Sequence, residues 1–222
     1  MLMGKSVKNF SLADQVCELL KDAIIKGELK PGDRLIEMEI AKEYKVSQAP
    51  VREALSRLRI EGLVVHYRHK GSFVSNFSKK NVEEVYSFRE MMEPLAIQKA
   101  LNNLTDEDLR ELSNLYKNML TAGKNNDLDK VRETDNAFHS YIYRLADHGF
   151  MYQVWEDLTA LSDRIWYLTS QIYFDKLDEI AELHKPILDA MYERDEKKCI
   201  EAFKAHMHFV WEKIRQDEKI IF

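Results

Sequence analysis

The sequence predicts a mainly α protein in two parts, a winged helix-turn-helix over residues 1–77 followed by an all-α helical bundle over residues 78–222. Three observations carry that prediction. The first part holds three short stretches of helical apolar spacing, then two runs of strand-forming residues around a tight turn. From residue 78 onward the spacing stays helical and no strand-like alternation interrupts it. The charge divides at the same place: residues 1–77 carry 13 Lys and Arg against 10 Asp and Glu, whereas residues 78–222 carry 20 against 28. The overall net charge of -5 therefore hides a basic first part.

Leu12, Val16, Leu19, Leu20, Ala23 and Ile24 recur at helical spacing, and Gly27 and Pro31-Gly32 end the pattern, which predicts a first helix over about 11–26. A second, short helix over Glu37 to Tyr44 follows from Met38, Ile40 and Ala41. Lys45-Val46 is the only link to a third helix over Ser47–Gly62, so the pair reads as a helix-turn-helix unit. Ser47 is placed to cap that helix, Pro50 suits its first turn, and Gly62 suits the left-handed residue that ends it. Val51, Ala54, Leu55 and Leu58 form its packing face, while Gln48, Arg52, Ser56 and Arg59 form a polar stripe beside it. Such a stripe on a lone helix is usually a solvated surface. Here a wing follows. Leu63-Val-Val-His-Tyr67 and Ser72-Phe-Val-Ser75 read as two strands around Arg68-His69-Lys70-Gly71, a basic tip suited to phosphate or minor-groove contact.

Gly27-Glu-Leu-Lys-Pro-Gly-Asp-Arg-Leu35, Ile40-Ala41, Val46-Ser-Gln-Ala-Pro-Val-Arg-Glu-Ala-Leu55, Glu61-Gly-Leu-Val64 and Lys70-Gly71 occur in one order. That series strongly resembles the winged-helix domain of GntR-family transcriptional regulators, over residues 10–75. The resemblance implies that Arg34, Arg52 and the wing residues Lys70 and Gly71 contact operator DNA. It also implies that the start of the third helix, Ser47, Gln48, Ala49 and Pro50, enters the major groove. Members of this family usually carry Arg-Thr where this chain has Gln48-Ala49. Arg suits guanine and Gln suits adenine, a choice worth ~1–3 kcal/mol of discrimination, so an operator altered at that base is expected.

The bundle helices are expected at about 80–102, 105–122, 127–146, 150–173, 176–194 and 196–218, joined by short loops. Asp135 and His139 lie four residues apart on one helix, beside the apolar stripe Phe138, Ile142 and Leu145. His184 sits centrally among Leu177, Ile180, Ile187, Leu188 and Met191, and His206 among Cys199, Ala202, Phe203, Phe209 and Val210. A single inward histidine is usually a hydrogen-bonded core residue. Several buried polar groups without partners would cost ~1–3 kcal/mol apiece, and one divalent cation held by three imidazoles and a carboxylate removes that cost. Zn²⁺, Ni²⁺, Fe²⁺ and Mn²⁺ all suit this donor set. His208 projects to the solvated face, His66 and His69 lie in the wing and His148 at a helix end, so none of them suits the site. Arg89 lies within the apolar stripe Val82, Val85, Met92 and Ala96, where a guanidinium requires an anion. Glu93, four residues on, can supply it, and so can a bound carboxylate. Arg164 is a second, more peripheral candidate for a carboxylate effector. Cys17 and Cys199 lack metal or disulfide spacing and read as small core residues.

This arrangement resembles the ligand-binding domain of the FadR branch of that family, the FCD domain, whose metal-containing members carry Asp-x-x-x-His on one helix and single histidines on two later ones. Asp135, His139, His184 and His206 match those positions, and the resemblance covers residues 80–215. Together the two resemblances imply a homodimeric DNA-binding regulator, on this reading a repressor, that binds double-stranded operator DNA. A small carboxylate at the buried divalent metal would modulate it. The chain is not expected to be an enzyme. A metal-dependent hydrolase is the rival use of the same site, but no general base stands out beside the ligands, and a pure metal sensor is another. Neither a signal peptide nor a membrane-spanning run is visible, so a cytoplasmic protein with no membrane partner is expected.

Overall fold

The computed structural model describes residues 11–76 and 78–217. Their contacts group into two compact units that divide after Asn76. Residues 1–10 and 77 of the expected winged part, and residues 218–222 of the expected bundle, including the end of its last helix, lie outside the described residues.

In the first unit α1 (Leu12–Ile25) begins at Ser11, whose hydroxyl accepts the Asp14 amide while the Asp14 carboxylate accepts the Ser11 amide. α2 (Glu37–Glu43) and α3 (Gln48–Ile60) form the helix-turn-helix. Val16, Leu20 and Ile24 of α1 pack with Val51, Ala54, Leu55 and Leu58 of α3, all nearly inaccessible to solvent. Arg57 pairs with Asp14 and ties α3 to α1 at the edge of this core. Gly62 has φ +75°, the left-handed conformation that ends α3, and Leu63 then donates back to the Leu58 carbonyl at 2.9 Å.

The wing carries one strand more than expected. β1 (Arg34–Leu35), β2 (Val64–Tyr67) and β3 (Gly71–Val74) form an antiparallel sheet in the order β1-β3-β2. Arg34 opposes Phe73 and Leu35 opposes Ser72.

The second unit is helical throughout its described residues: α4 (Lys79–Asn103), α5 (Asp106–Lys124), α6 (Leu128–Leu145), α7 (Gly149–Tyr173), α8 (Asp178–Glu182), α9 (Lys185–Glu193) and α10 (Glu196–Gln216). Ser78, Thr105, Asp127, His148 and Asp195 cap α4, α5, α6, α7 and α10 through their side chains. Leu112, Met119, Val131, Phe138, Ile142, Ile187, Met191, Cys199 and Phe203 share its principal core. Both cysteines are buried, and burial pushes the Cys17 thiol up to about 11 and the Cys199 thiol up to about 12.

The single helix expected over 176–194 is instead two. Pro186 stands in the first turn of α9, where its ring and missing amide are tolerated, but a continuous helix would place it in the interior. The chain therefore breaks at Leu183-His184. α5 and α8 meet closely at Gly123, where a Cβ would lie 2.6 Å from the Asp178 Cα. No described helix is long and apolar enough to cross a membrane.

Candidate functional site

The polar stripe of α3 is exposed at Gln48, Arg52, Ser56 and Arg59. Ser47 occupies the N-cap position in an extended conformation, yet its hydroxyl makes no capping bond. The physical reason is Pro50, which lacks the amide at the third helical position that such a hydroxyl would accept. Ala49 is exposed and Pro50 half-buried at this tip. Arg52 donates from Nε to Glu37 Oε2 at 2.5 Å and from Nη2 to Gln48 Oε1 at 3.3 Å. On the wing, Lys70 is exposed, and the Arg34 guanidinium lies against Gly71, 3.7 Å from where a Cβ would be. The structure thus gathers Arg34, Lys70 and Gly71 on the wing, and Gln48, Ala49 and Arg52 at the start of α3.

In the second unit α6 supplies Asp135 and His139, the α8–α9 break supplies His184, and α10 supplies His206. The break frees His184 from helical phase. His184 is fully buried, Asp135 and His139 nearly so, and His206 half-buried. The three imidazoles each offer a nitrogen within 4.8 Å of the others. His184 Nδ1 lies 3.0 Å from the Ile180 carbonyl, which can only accept, so Nδ1 donates there and Nε2 is the nitrogen left to face the cluster. Nε2 lies 3.1 Å from Asp135 Oδ1 and 3.2 Å from His139 Nε2. Burial, with repulsion from the neighbouring imidazoles and from Arg89, holds His139 and His206 well below the usual histidine range. Nδ1 of His139 and Nδ1 of His206 are buried without a hydrogen-bond partner.

These features fit a metal ion. Imidazole nitrogens and a carboxylate converge where protonation of His139 and His206 is disfavoured, and separations near 3 Å are what two ligands with ~2.0–2.1 Å bonds at right angles would show. The Ile180 carbonyl orients His184 as an outer-shell partner orients a ligating imidazole. The set-aside histidines stay apart: His148 caps α7, His66 bonds Ser72, His69 sits in the wing turn, and the half-exposed His208 lies 3.6 Å from Glu90.

A cavity of about 70 Å³ adjoins the cluster, lined by Arg89, Asp135, His139 and His206. Arg89 also binds Glu93, through Nε at 3.1 Å and Nη2 at 2.8 Å, both to Oε1. Both anions anticipated for it are therefore compatible with its position. Arg164 is buried on α7 but does not line the cavity, and burial lowers its pKa. Sequence reasoning missed the opposite wall, where Asp163 accepts from Asn136 at 2.8 Å and from Arg132 at 3.2 Å, beside Trp155 and Trp166. The helical spacing of Trp155, Thr159, Asp163, Trp166 and Ser170 on α7 was the available signal.

A helix-turn-helix with a wing beside a polar reading stripe defines a DNA-binding transcriptional regulator. Comparison with known proteins agrees. Residues 12–74 match the family described as bacterial regulatory proteins, gntR family, and residues 84–209, more than half of the chain, match the FCD domain. The HTH-type transcriptional repressor RspR of Escherichia coli K12 is 27% identical over 205 residues, covering 91% of this chain and 88% of its own. The gluconate operon transcriptional repressor of Bacillus subtilis 168 is 24% identical over 215 residues, covering 95% and 88%. The solved structure of E. coli McbR/YncC superposes with a TM-score of 0.78 at 26% identity, covering 93% of this chain and 98% of that one. The chain belongs to the GntR family of transcriptional regulators, and its second domain is an FCD domain.

Proposed function

We propose that the protein is a cytoplasmic transcriptional repressor whose operator binding responds to a small carboxylate at a divalent metal held by Asp135, His139, His184 and His206. The observation that carries this reading is the buried His184 Nε2, which lies 3.1 Å from a carboxylate and 3.2 Å from a second imidazole, both on residues that line a cavity. The ion, Zn²⁺, Ni²⁺, Fe²⁺ or Mn²⁺, would supply a Lewis-acidic seat for a carboxylate oxygen. Arg89 supplies a second positive group on the cavity wall, and Arg164 adds a further buried guanidinium on α7, a helix whose other side chains line that cavity. The cavity holds several water volumes at ~10–15 Å³ each, the scale of a small organic acid.

In the first domain Arg34, Lys70 and Gly71 hold the backbone, and Ser47, Gln48, Ala49, Pro50 and Arg52 present the reading end of α3. Two copies bind a palindromic operator as a homodimer, and the effector acts by changing the separation of the paired winged domains. The names of the relatives, two of them repressors of transcription, support repression over activation.

Native mass spectrometry of the purified protein should show one metal per chain and, in part of the population, a bound small acid. Operator affinity measured with metal alone, and then with a panel of small carboxylates, separates the alternatives. A response to metal alone makes the protein a pure metal sensor. Turnover of an ester or amide substrate that His184→Ala abolishes would make it a hydrolase.

A further inference from the structure

The Arg52 contacts say more about operator reading than the exposed stripe does. Glu37 is the first residue of α2 and Arg52 lies one turn into α3, so their 2.5 Å ion pair spans the two helices of the reading motif. Gln48, the first residue of α3, contributes its carbonyl oxygen to the same guanidinium at 3.3 Å.

A guanidinium has five N–H donors. Glu37 occupies the one on Nε and Gln48 one on Nη2, leaving both on Nη1 and one on Nη2 at the tip. Two donors at the tip are what a guanine presenting O6 and N7 requires. A free arginine loses rotamer entropy when it docks on a base, and one already clamped by two neighbours loses less. Gln48 is affected in the opposite sense. Pairing with adenine needs its oxygen to accept from N6 while its nitrogen donates to N7, and the Arg52 bond turns that oxygen toward the guanidinium, so the amide must share or reorient it to meet the base.

We propose that Glu37 is a positioning residue for operator recognition: it clamps Arg52, with Gln48 as second support, so that Arg52 reads a guanine and Gln48 does not read adenine independently. This inference rests on the DNA-binding reading above and replaces the adenine preference expected from Gln48 alone. It also gives a purpose to a carboxylate beside a DNA-facing arginine. Glu37 repels phosphate, so it lowers affinity for every duplex while sharpening the choice among them.

The test is selection from random duplexes by the full-length wild type and by Glu37→Gln, Gln48→Ala and Arg52→Ala. Affinities are then measured on the selected duplex and on one carrying 7-deazaguanine at the base read by Arg52. The wild type should select guanine there and lose about tenfold in affinity to the analogue. Glu37→Gln should lose most of that discrimination at an unchanged thermal midpoint, while binding unselected duplexes as well as the wild type or better. Glu37→Asp, which keeps the carboxylate, should restore the preference in part, and Gln48→Ala should weaken the same guanine preference.

Full guanine discrimination by Glu37→Gln overturns the proposal, as does equal weakening on all duplexes. Loss of an A·T preference at another position in Gln48→Ala, with guanine untouched, also overturns it. A wild type that selects no duplex overturns the regulator reading itself, and the clamp with it.

Discussion

Removing His184 tests the proposed metal centre most directly, because its fully buried Nε2 lies close to both Asp135 and His139. A ligand that binds only the folded state stabilises it by RT ln(1 + [L]/Kd), ~2.7 kcal/mol when its concentration is a hundredfold above Kd. For a unit of this size each kcal/mol moves the thermal midpoint by ~2–4 °C. Chelation of the wild type should therefore lower the midpoint by ~5–11 °C, and adding back the native metal should restore it. His184→Ala should show neither change. Its metal-free form should melt below the metal-free wild type, since the Ile180 carbonyl loses its partner at a cost of ~1–3 kcal/mol. His208→Ala, at a half-exposed position on the same helix as His206, should keep the full metal shift. Scanning fluorimetry with metal quantified alongside decides the matter. Coincident melting of chelated and metal-loaded wild type, or an undiminished metal shift in His184→Ala, would refute the assignment.

Arg89→Met should destabilise the bundle by ~3–5 kcal/mol, because it strands the buried Glu93 carboxylate. Adding Glu93→Gln should recover most of that stability, whereas carboxylate affinity measured by calorimetry should stay low in both variants; unchanged affinity would assign Arg89 wholly to Glu93. Gly123→Ala should cost ~1–3 kcal/mol by denaturant unfolding, because its Cβ would press on the α8 backbone and Asp178 would have to move. In the winged domain, hydrogen bonds from Ser11 and Arg57 hold the Asp14 carboxyl down to about 2. With the folded value below the unfolded one, the unfolded chain binds more protons, so this contribution is complete above the ordinary carboxylate range and disappears as pH falls from ~4 to 2. Asp14→Asn should flatten the acid unfolding profile of that domain over this window, and a profile parallel to the wild type would contradict the assignment.

The helices could be read from the sequence because their caps and apolar spacing agree. Ser11 with Asp14, and Thr105 with Asp108, form complete capping boxes where the first turns were expected. β1 could not be read, since two residues show no alternation and Arg34-Leu35 becomes a strand only by pairing with Phe73 and Ser72. The signal for the break before α9 is Pro186, which the continuous apolar spacing from Leu177 to Met191 masks. Periodicity records which face is buried and does not record whether the backbone hydrogen bonds continue. Ser47 gives a similar lesson. Its residue type suited a cap, but Pro50 removed the donor that the cap would have satisfied.

The proposed metal ligands stood out because Asp135 and His139 on one helix, and His184 and His206 on two later segments, interrupt apolar faces, where polar groups require partners. Asp163 did not stand out, because its face already mixes Trp155 and Trp166 with Thr159 and Ser170, and its partners Arg132 and Asn136 come from another helix. Arg89 lies between these cases. Its apolar surroundings implied an anion, which Glu93 or a bound carboxylate could supply. Both bonds to Glu93 converge on one oxygen through Nε and Nη2, so the pair does not consume the Nη1 end of the guanidinium. A structural ion pair can therefore hold the charge at the cavity wall while its free end remains available to a ligand, and the Glu93→Gln background tells those two uses apart.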